Sequence, residues 1–312
     1  MSMENGAAEK LQLSIVAPLF NEEEVIGEFT KFLRPVLDSM KVAYEVILID
    51  DGSTDSSLQR LRGLDWPQLR VISFVSNSGH QAALDAGYRA SSGEFVITMD
   101  SDLQHPPEVV PELYKMAIEA GVDVVYAVRP KRKEDGIFKR LTARAYYSLL
   151  GSLTEIQLQS SAADFRIVSR NVVIVLNQLA PGRQVFRLLI PSLGFPSKTF
   201  GYTASQRFAG KSKYGVRKMV GLSLDSVIQF STKPLTLSIQ LGVFVSLLSL
   251  AGFAYVLFTY LSGEALQGWA SLISTVLLLF GVLFFLLGIF GLYLASVVRQ
   301  LQGRPPYVTK EF

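Results

Sequence analysis

The chain has 312 residues, of which 49% are hydrophobic and 18% charged, and its mean hydropathy of +0.30 is high for a soluble enzyme, so part of it is expected in lipid. The absence of cysteine excludes disulfides, thiolate metal sites and a cysteine nucleophile, and two histidines argue against a histidine zinc site or triad. The net charge of +3 is too small to indicate nucleic-acid binding.

The first 233 residues have the composition of a globular protein and open on a polar stretch, residues 1–10, in which no signal peptide is expected. Five short β-branched runs alternate with segments of helical spacing. The runs are Leu13–Ala17, Glu45–Ile49, Arg70–Val75, Glu94–Met99 and Val122–Val128. This alternation predicts an α/β fold with a mostly parallel sheet.

Polar segments follow four of the predicted strands, at the edge where an open parallel sheet binds its ligands. They are Pro18–Glu22, Asp50–Asp55, Ser76–Gly79 and Asp100–Gln104. No GxGxxG or GxxxxGK[ST] motif follows any of these strands, which disfavours the usual dinucleotide fold and a P-loop nucleoside triphosphatase.

Oxygen-bearing side chains dominate these segments. Asp100, Asp102 and Gln104 suit Mg²⁺ or Mn²⁺, hard ions that bridge substrate phosphates, although a solvated turn is the alternative. Asp50 and Asp51 either form a type I turn with a helix cap or accept a hydrogen bond from a nucleotide base or ribose.

Two further residues in these segments have simpler expected roles. Asn21, followed by three glutamates, is expected to cap the first helix. His105 is expected to be a helix-entry residue rather than a metal ligand.

A basic stretch from Phe165 to Leu224 contains no aspartate or glutamate. Its cations are Arg166, Arg170, Arg183, Arg187, Lys198, Arg207, Lys211, Lys213, Arg217 and Lys218. Such a surface either binds anionic lipid heads or holds a phosphorylated substrate at the bilayer, and the two roles are compatible. Interleaved exposed aromatic side chains are not expected in this stretch, which faces the membrane, and both points argue against nucleic acid.

Two runs without charged residues, Leu235–Gly263 and Ala265–Val298, each exceed the roughly 20 residues that a helix needs to cross a bilayer. They predict a transmembrane hairpin. Cations flank both outer ends and the short connection holds only Glu264, so the positive-inside rule predicts that the N-terminal domain and both termini are cytoplasmic. The expected location is the inner membrane. Gly281, Gly288 and Gly291 form either a helix-packing face or ordinary membrane-helix glycines.

The expected domains are a cytoplasmic enzyme domain over 1–212, a juxtamembrane amphipathic segment over 213–233, two transmembrane helices over 234–299 and a cytoplasmic tail over 300–312. Interface helices from Phe138 to Leu153 and from Tyr214 to Ser231 would guide a lipid toward the site, although core packing explains their apolar faces equally well.

Several motifs in a fixed order resemble one family. They are Pro18-x-x-Asn-Glu22, Asp50-Asp-Gly-Ser-x-Asp55, Asn77-x-Gly79, Asp100-x-Asp-x-Gln104-x-Pro-Pro107, Asp164-Phe-Arg166 and Arg207-x-x-Gly-x-Ser-Lys-Tyr214. With the two spans that follow, the chain is similar to the family 2 glycosyltransferases that charge polyprenyl phosphate. The bactoprenol glucosyltransferases are nearest in this comparison, and the dolichol-phosphate mannose synthases are more distant.

The resemblance implies a GT-A fold and an inverting, metal-dependent transfer from UDP-glucose, with Mg²⁺ or Mn²⁺, to undecaprenyl phosphate. By that resemblance, the nucleotide contacts are Pro18, Asn21, Glu22, Asp51 and Asp100. The metal and diphosphate ligands are Asp100, Asp102 and Gln104, and the catalytic base is Asp164. The lipid-phosphate contacts are Arg129, Arg140, Arg144, Arg207, Ser212 and Lys213.

The role of Asp164 stays open, because a phosphate monoester has a second pKa near 6 and a base need remove little from it. Asp164 either acts as the base or positions the nucleophile and pairs with Arg166. Other sugars are alternatives, with mannose from GDP-mannose or aminoarabinose as examples. A non-catalytic scaffold remains a further alternative, and neither Trp66 nor Trp269 lies in the Gln-x-x-Arg-Trp unit of a processive synthase.

The expected partners are the nucleotide sugar, polyprenyl phosphate and membrane lipids, with a homo-oligomer left open and no nucleic acid. Two spans are too few for a sugar-conducting pore. A separate flippase and a periplasmic glycosyltransferase are therefore expected downstream.

Overall fold

The computed structural model describes residues 11–129, 162–179, 185–203, 233–262, 268–302 and 305–310. The chain divides into two compact units. The first comprises Met1–Ala143, Ile156–Lys213 and Pro305–Phe312, and the second comprises Arg144–Glu155 and Tyr214–Arg304. The residues that follow the second apolar helix therefore return to the first unit.

Seven strands of the described chain form one sheet in the first unit, in the order β3-β2-β1-β4-β6-β5-β7. The strands are β1 Leu13–Leu19, β2 Tyr44–Asp50, β3 Leu69–Ser73, β4 Phe95–Thr98, β5 Val124–Val128, β6 Ala162–Ser169 and β7 Ser197–Gly201. Neighbouring strands are parallel except at β6, which is antiparallel to β4 and β5. The predicted α/β fold with a mostly parallel sheet is confirmed, and β1 to β5 coincide with the five predicted runs.

Helices cover both faces of the sheet. They are α1 Ile26–Ser39, α2 Ser57–Arg62, α3 His80–Ala90, a 3-10 turn Pro107–Val109, α4 Val110–Ala120, α5 Arg170–Gln178 and α6 Phe186–Ser192. Helices α1 and α4 share one buried cluster with alternate side chains of β1 and β2, and α3, α5 and α6 share the other. A strand covered on both faces reads as a continuous apolar run, which is why β2 was recognisable in the sequence.

Gly87 allows α3 to lie close to β1. A Cβ atom added at Gly87 would lie 2.1 Å from Cγ1 of Val16, so no larger residue fits without movement. Helix α3 begins at His80, so the close packing of α3 on β1 also sets the distance of His80 from the sheet.

Helix α1 does not begin where the sequence suggested. It starts at Ile26 with Val25 at the N-cap position, so the expectation that Asn21 caps it is wrong. Asn21 instead adopts a left-handed backbone with a φ of 53°, and its side-chain oxygen accepts a 2.8 Å hydrogen bond from the Thr54 amide. Asparagine tolerates this conformation better than most residues, and here it joins the loops that follow β1 and β2.

The described part of the second unit is two long apolar helices, α7 Lys233–Leu261 and α8 Trp269–Leu301. Their segments Pro234–Val256 and Leu278–Val298 are long and apolar enough to cross a membrane, and neither is buried inside the protein. The predicted pair of apolar C-terminal helices is confirmed. The amphipathic segment expected over residues 213–233 lies, except for its last residue, outside the described residues.

The two helices approach each other at Gly242, where an added Cβ would lie 4.0 Å from Leu286. A Cβ atom at Gly281, Gly288 or Gly291 would meet nothing within 4 Å. These glycines of α8 therefore do not form the contact with α7.

Candidate active site

The direction of β6 brings Asp164 to the edge where the parallel strands end. Thr98 at the end of β4 pairs with Arg166 of β6 in antiparallel register, so Asp164, two residues earlier, lies beyond the end of β4. The hydroxyl of Thr98 donates a 2.6 Å hydrogen bond to the Asp164 carbonyl and fixes this register. Asp164 and Asp100 thus reach the same rim from strands of opposite direction.

The Asp164 carboxylate is buried among three cationic or potentially cationic side chains. One oxygen pairs with Arg166, and the other lies 3.2 Å from Arg187 Nη2 and 3.3 Å from His80 Nε2. Burial alone would raise the pKa of Asp164, but the hydrogen bond from His80 and the charges of Arg166 and Arg187 hold it far below its usual value. Asp164 is therefore a fixed anion at neutral pH.

This environment bears directly on the base role expected for Asp164. A general base works best when its pKa lies near the operating pH, and a carboxylate with a strongly lowered pKa is a poor proton acceptor. The contacts instead favour the other sequence interpretation, in which Asp164 pairs with Arg166 and positions the groups around it.

His80 connects the two aspartates of the rim and was missed in the sequence. Its Nε2 lies 3.3 Å from Asp164 Oδ2 and 3.8 Å from Asp100 Oδ1. Burial lowers its pKa, but the two carboxylates outweigh burial and raise the pKa overall. The rule that polar residues follow each strand would have found it, because His80 comes directly after the Ser76–Gly79 segment.

His105 is a positioning residue for Asp100. The Asp100 amide donates a 2.8 Å hydrogen bond to Nδ1 of His105, which leaves the proton of the neutral ring on Nε2. That nitrogen faces Asp100 Oδ2 at 3.6 Å, while the ring is fully buried and stacks on Phe165. Burial lowers the pKa of His105, so the ring stays neutral. The expectation that His105 is not a metal ligand agrees with this geometry, since a protonated Nε2 cannot ligate.

Asp100 and Asp102 are the residues that fit a divalent cation. Both are partly exposed at the rim, and Mg²⁺ is commonly held by one or two carboxylates together with substrate phosphates. Within the described ranges there is no group of three or more His, Cys, Asp or Glu side chains that could hold a metal ion.

Gln104 and Arg129, which were expected to have separate roles, are joined by a hydrogen bond. Arg129 Nη1 donates a 3.2 Å hydrogen bond to Gln104 Oε1, and its Nε donates a 2.8 Å bond to the Tyr202 hydroxyl. Tyr202 had no expected role, because nothing in its local sequence marks it. An arginine side chain has five N–H donors, so Arg129 keeps donors for an anionic ligand next to Gln104.

The two aspartates after β2 have different roles. Asp50 is fully buried and accepts hydrogen bonds from the Ser53 amide at 3.0 Å and the Ser73 hydroxyl at 2.7 Å, which makes it a turn-forming residue. Asp51 accepts bonds from the Ser78 and Gly79 amides at 2.6 and 2.9 Å. Asp51 thus holds the loop after β3, and burial raises its pKa although these amides oppose that shift.

The segment after β1 is held by its backbone. The Pro18 carbonyl accepts a 3.0 Å bond from Ser101, the Asn21 amide donates to the Ser53 hydroxyl, and the Glu22 amide donates to the Ser57 hydroxyl. These bonds join the loops after β1, β2 and β4. The structure therefore brings together the nucleotide contacts expected there, Pro18, Asn21, Glu22, Asp51 and Asp100.

Two cations of the basic stretch are structural. Arg166 is fully buried and donates to the Phe186 carbonyl, and Arg170 donates to the carbonyls of Ser91 and Gly93. The interpretation of the whole stretch as a basic surface is wrong at these two positions, because each guanidinium satisfies backbone oxygens. Five of the expected lipid-phosphate contacts lie outside the described residues: Arg140, Arg144, Arg207, Ser212 and Lys213.

Comparison with known proteins places this site in a family. The profile of "Glycosyl transferase family 2" matches residues 14–176. The chain is 38% identical over 307 residues to an uncharacterized glycosyltransferase of Bacillus subtilis (strain 168), covering 96% of this chain and 94% of the relative. It is 35% identical over 305 residues to the SfII prophage-derived bactoprenol glucosyl transferase of Shigella flexneri, covering 96% and 98%. The chain belongs to glycosyl transferase family 2.

A solved structure shares the fold of the first unit. The glucosyl-3-phosphoglycerate synthase of Mycobacterium tuberculosis, in complex with Mn²⁺, uridine-diphosphate-glucose and phosphoglyceric acid, matches with a TM-score of 0.51 and 25% identity over 70% of this chain and 78% of that one. The chain is thus a glycosyltransferase with a GT-A-like fold.

Proposed function

We propose that the protein is an inverting glucosyltransferase that moves glucose from UDP-glucose to a polyprenyl phosphate of the undecaprenyl class, at the cytoplasmic face of the membrane. One observation carries this proposal: a family 2 active-site rim and two apolar, bilayer-length helices occur in a single chain. The nearly full-length similarity to a bactoprenol glucosyl transferase and the UDP-glucose in a structural relative support the choice of acceptor and donor.

In this proposal an acceptor phosphate oxygen attacks the anomeric carbon of the sugar, and the bond from that carbon to the diphosphate breaks with inversion. Two anionic reactants must approach each other, so positioning and charge compensation are the main catalytic contributions. Arg187 forms an ion pair with Asp164, and its side chain is half-exposed, so it could also contact the phosphate of the acceptor. Asp164 holds Arg187 and His80 in place rather than removing a proton.

Asp100 and Asp102 would hold Mg²⁺ or Mn²⁺, and the bound ion would neutralise the diphosphate and make it a better leaving group. His105 orients Asp100 through the bond from its main-chain amide to the ring. Arg129, anchored by Tyr202, would contribute a further positive charge to a phosphate at this rim. Asp51 would act on the nucleoside side by fixing the loop after β3.

The connectivity of the first unit supports the proposed topology. Chain on both sides of α7 and α8, before residue 213 and after residue 305, belongs to that one unit. Two crossings return a chain to the side from which it started, so a hairpin satisfies this and a single crossing does not. We therefore place the domain of residues 1–212 and the tail on the same side, with the spans within residues 234–299, and the cations that flank the spans make that side the cytoplasmic one.

Purified full-length protein incubated with undecaprenyl phosphate and radiolabelled UDP-glucose is expected to give a lipid-extractable glucosyl product that requires Mg²⁺ or Mn²⁺. Parallel reactions with GDP-mannose and UDP-N-acetylglucosamine test the donor. A matched reaction lacking undecaprenyl phosphate measures donor hydrolysis alone.

Two outcomes would contradict the proposal. A labelled lipid formed only from a different sugar nucleotide would overturn the donor. Transfer to a soluble acceptor, with none to undecaprenyl phosphate, would overturn the acceptor and the membrane role.

A further inference from the structure

The last described residues of the chain extend the sheet at its β3 edge. The Val75 amide donates a 2.8 Å hydrogen bond to the Val308 carbonyl, and the Lys310 amide donates a 2.7 Å bond to the Ser73 carbonyl. Phe74 and Thr309 form an antiparallel bridge between these bonds. Residues 305–310 are called here the tail strand. They form a single bridge, which pairs with the backbone of residues 73–75 at the end of the edge strand β3.

An aromatic pair adds a side-chain contact to this pairing. The rings of Tyr307 and Phe74 are stacked with their centroids 4.6 Å apart and an interplanar angle of 7°, and Phe74 is fully buried. The Tyr307 hydroxyl lies 3.4 Å from Asp85 Oδ2, which is long for a hydrogen bond between oxygens. The ring contact is therefore the main anchor.

The segment that the tail strand holds leads directly into the active-site rim. The Phe74 amide donates to the Asp50 carbonyl at 2.8 Å, and the Ser78 and Gly79 amides donate to Asp51. An added Cβ at Gly52 would lie 2.6 Å from the Ser76 carbonyl carbon, so the loops after β2 and β3 are in close contact. Residues 73–79 are thus fixed by the tail strand on one side and by residues 50–52 on the other.

We propose that the tail strand positions the loop of residues 73–79, which Asp51 links to the proposed donor site, with Tyr307 as its positioning residue. Naming the donor rests on the proposed function, whereas the hold on the loop does not. The tail strand follows α8 in the chain. The segment that comes after the apolar helices therefore bonds directly to the loop whose Ser78 and Gly79 amides donate to Asp51. Tyr307 acts through Phe74 and touches no substrate.

The first test measures amide hydrogen exchange in the full-length protein in lipid nanodiscs. Tyr307→Ala is expected to speed exchange in residues 73–79 about tenfold and to leave the β5 peptide unchanged, because the loss is local. Tyr307→Phe keeps the ring and is expected to match the parent. Lys310→Pro, which removes the amide donor to Ser73, should reproduce the Tyr307→Ala result, and Lys310→Ala, which keeps it, should not.

The second test separates positioning from general stability. Tyr307→Ala is expected to raise the KM for UDP-glucose about five- to tenfold and to leave kcat and the KM for undecaprenyl phosphate within about twofold. Val308→Ala changes an exposed side chain of the same strand and serves as the matched control.

Unchanged exchange in residues 73–79 of both Tyr307→Ala and Lys310→Pro would overturn the proposal, as would faster exchange throughout the sheet. Faster local exchange with an unchanged KM for the donor would overturn the positioning role. If the parent protein does not use UDP-glucose, the proposed function fails, and the exchange experiment still decides whether the tail strand holds the loop.

Discussion

Asp164 is a buried anion whose neighbours are Arg166, Arg187 and His80. Removing one member of a buried charged cluster leaves the others uncompensated, which costs more than the cluster itself contributes. The pKa of Asp164 is lowered by folding, so its contribution to stability is present at neutral pH and is lost only as the pH falls below about 4. Its protonation therefore does not shape activity near neutrality.

Asp164→Asn is expected to lower turnover about 100-fold, by the same factor between about pH 6 and pH 9, because it disturbs positioning rather than proton transfer. Initial rates at saturating acceptor across that range check this, with UDP binding and thermal unfolding as controls for folding. A return to near-parental rates at the alkaline end would mean that Asp164 is a base after all, since the acceptor is then fully dianionic.

Asp102→Ala is expected to lower metal-dependent turnover by at least about 100-fold, because one of two carboxylates available for the cation is lost. Rates measured against Mg²⁺ and Mn²⁺ concentration test this. Asp65→Ala, an exposed aspartate in the loop between α2 and β3, is the matched control and is expected to behave as the parent. Parental activity of Asp102→Ala, or of the parent in chelator, would refute the metal role.

At the scale of elements, strands β1 to β5 were predictable, and β6 and β7 were not. Strands β1 to β5 carry β-branched runs separated by helical spacing, and both signals are local in the sequence. The direction of β6 is set by which strands it pairs with, and β4 and β5 lie far from it along the chain. The expected helix cap at Asn21 was wrong for the same reason, because a hydrogen bond from the distant Thr54 amide fixes the conformation of the loop there.

Gly87→Ala is expected to destabilise the protein by about 1–3 kcal/mol, because the new methyl group overlaps Val16. The melting temperature in detergent should fall by roughly 2–4 °C for each kcal/mol. Gly27→Ala, where an added Cβ meets nothing within 4 Å, is the matched control and should leave the melting temperature unchanged or slightly raised.

A second change identifies the cause of that loss. Adding Val16→Ala to Gly87→Ala removes the overlapping methyl groups, so the double variant should be more stable than the sum of the single effects predicts. Strictly additive losses would show that the close approach of α3 to β1 is not what Gly87 provides.

At the scale of the whole molecule, the order of units along the chain restricts the membrane topology. The first unit contains chain from both sides of the two apolar helices, and the tail strand is bonded to β3. If both helices cross the membrane, this connectivity requires that the two flanking segments lie on the same side. The flanking charge adds the expected side, because the positive-inside rule predicts that both flanks are cytoplasmic.

The native chain has no cysteine, so single introduced cysteines can be labelled specifically to test the proposed membrane topology. In spheroplasts, a membrane-impermeant maleimide is expected to label Ser262→Cys, in the connection between the helices, and not Glu24→Cys or Val308→Cys. After permeabilisation all three should react, and the parent protein should stay unlabelled throughout. In intact spheroplasts, labelling of Val308→Cys without Glu24→Cys would contradict the hairpin, and labelling of both would contradict the cytoplasmic orientation.

The sequence by itself determined the properties carried by neighbouring residues: the α/β class, five strand positions, the carboxylates at strand ends and the two apolar helices. It also carried the family resemblance, which the comparisons confirmed. Only the tertiary structure decided that His80 lies between Asp164 and Asp100, that Arg166 and Arg170 are structural, and that the tail strand pairs with residues 73–75 at the end of β3. The physical reason is that periodicity and composition report burial along one segment, whereas a pKa or a strand partner depends on groups that folding brings from distant parts of the chain.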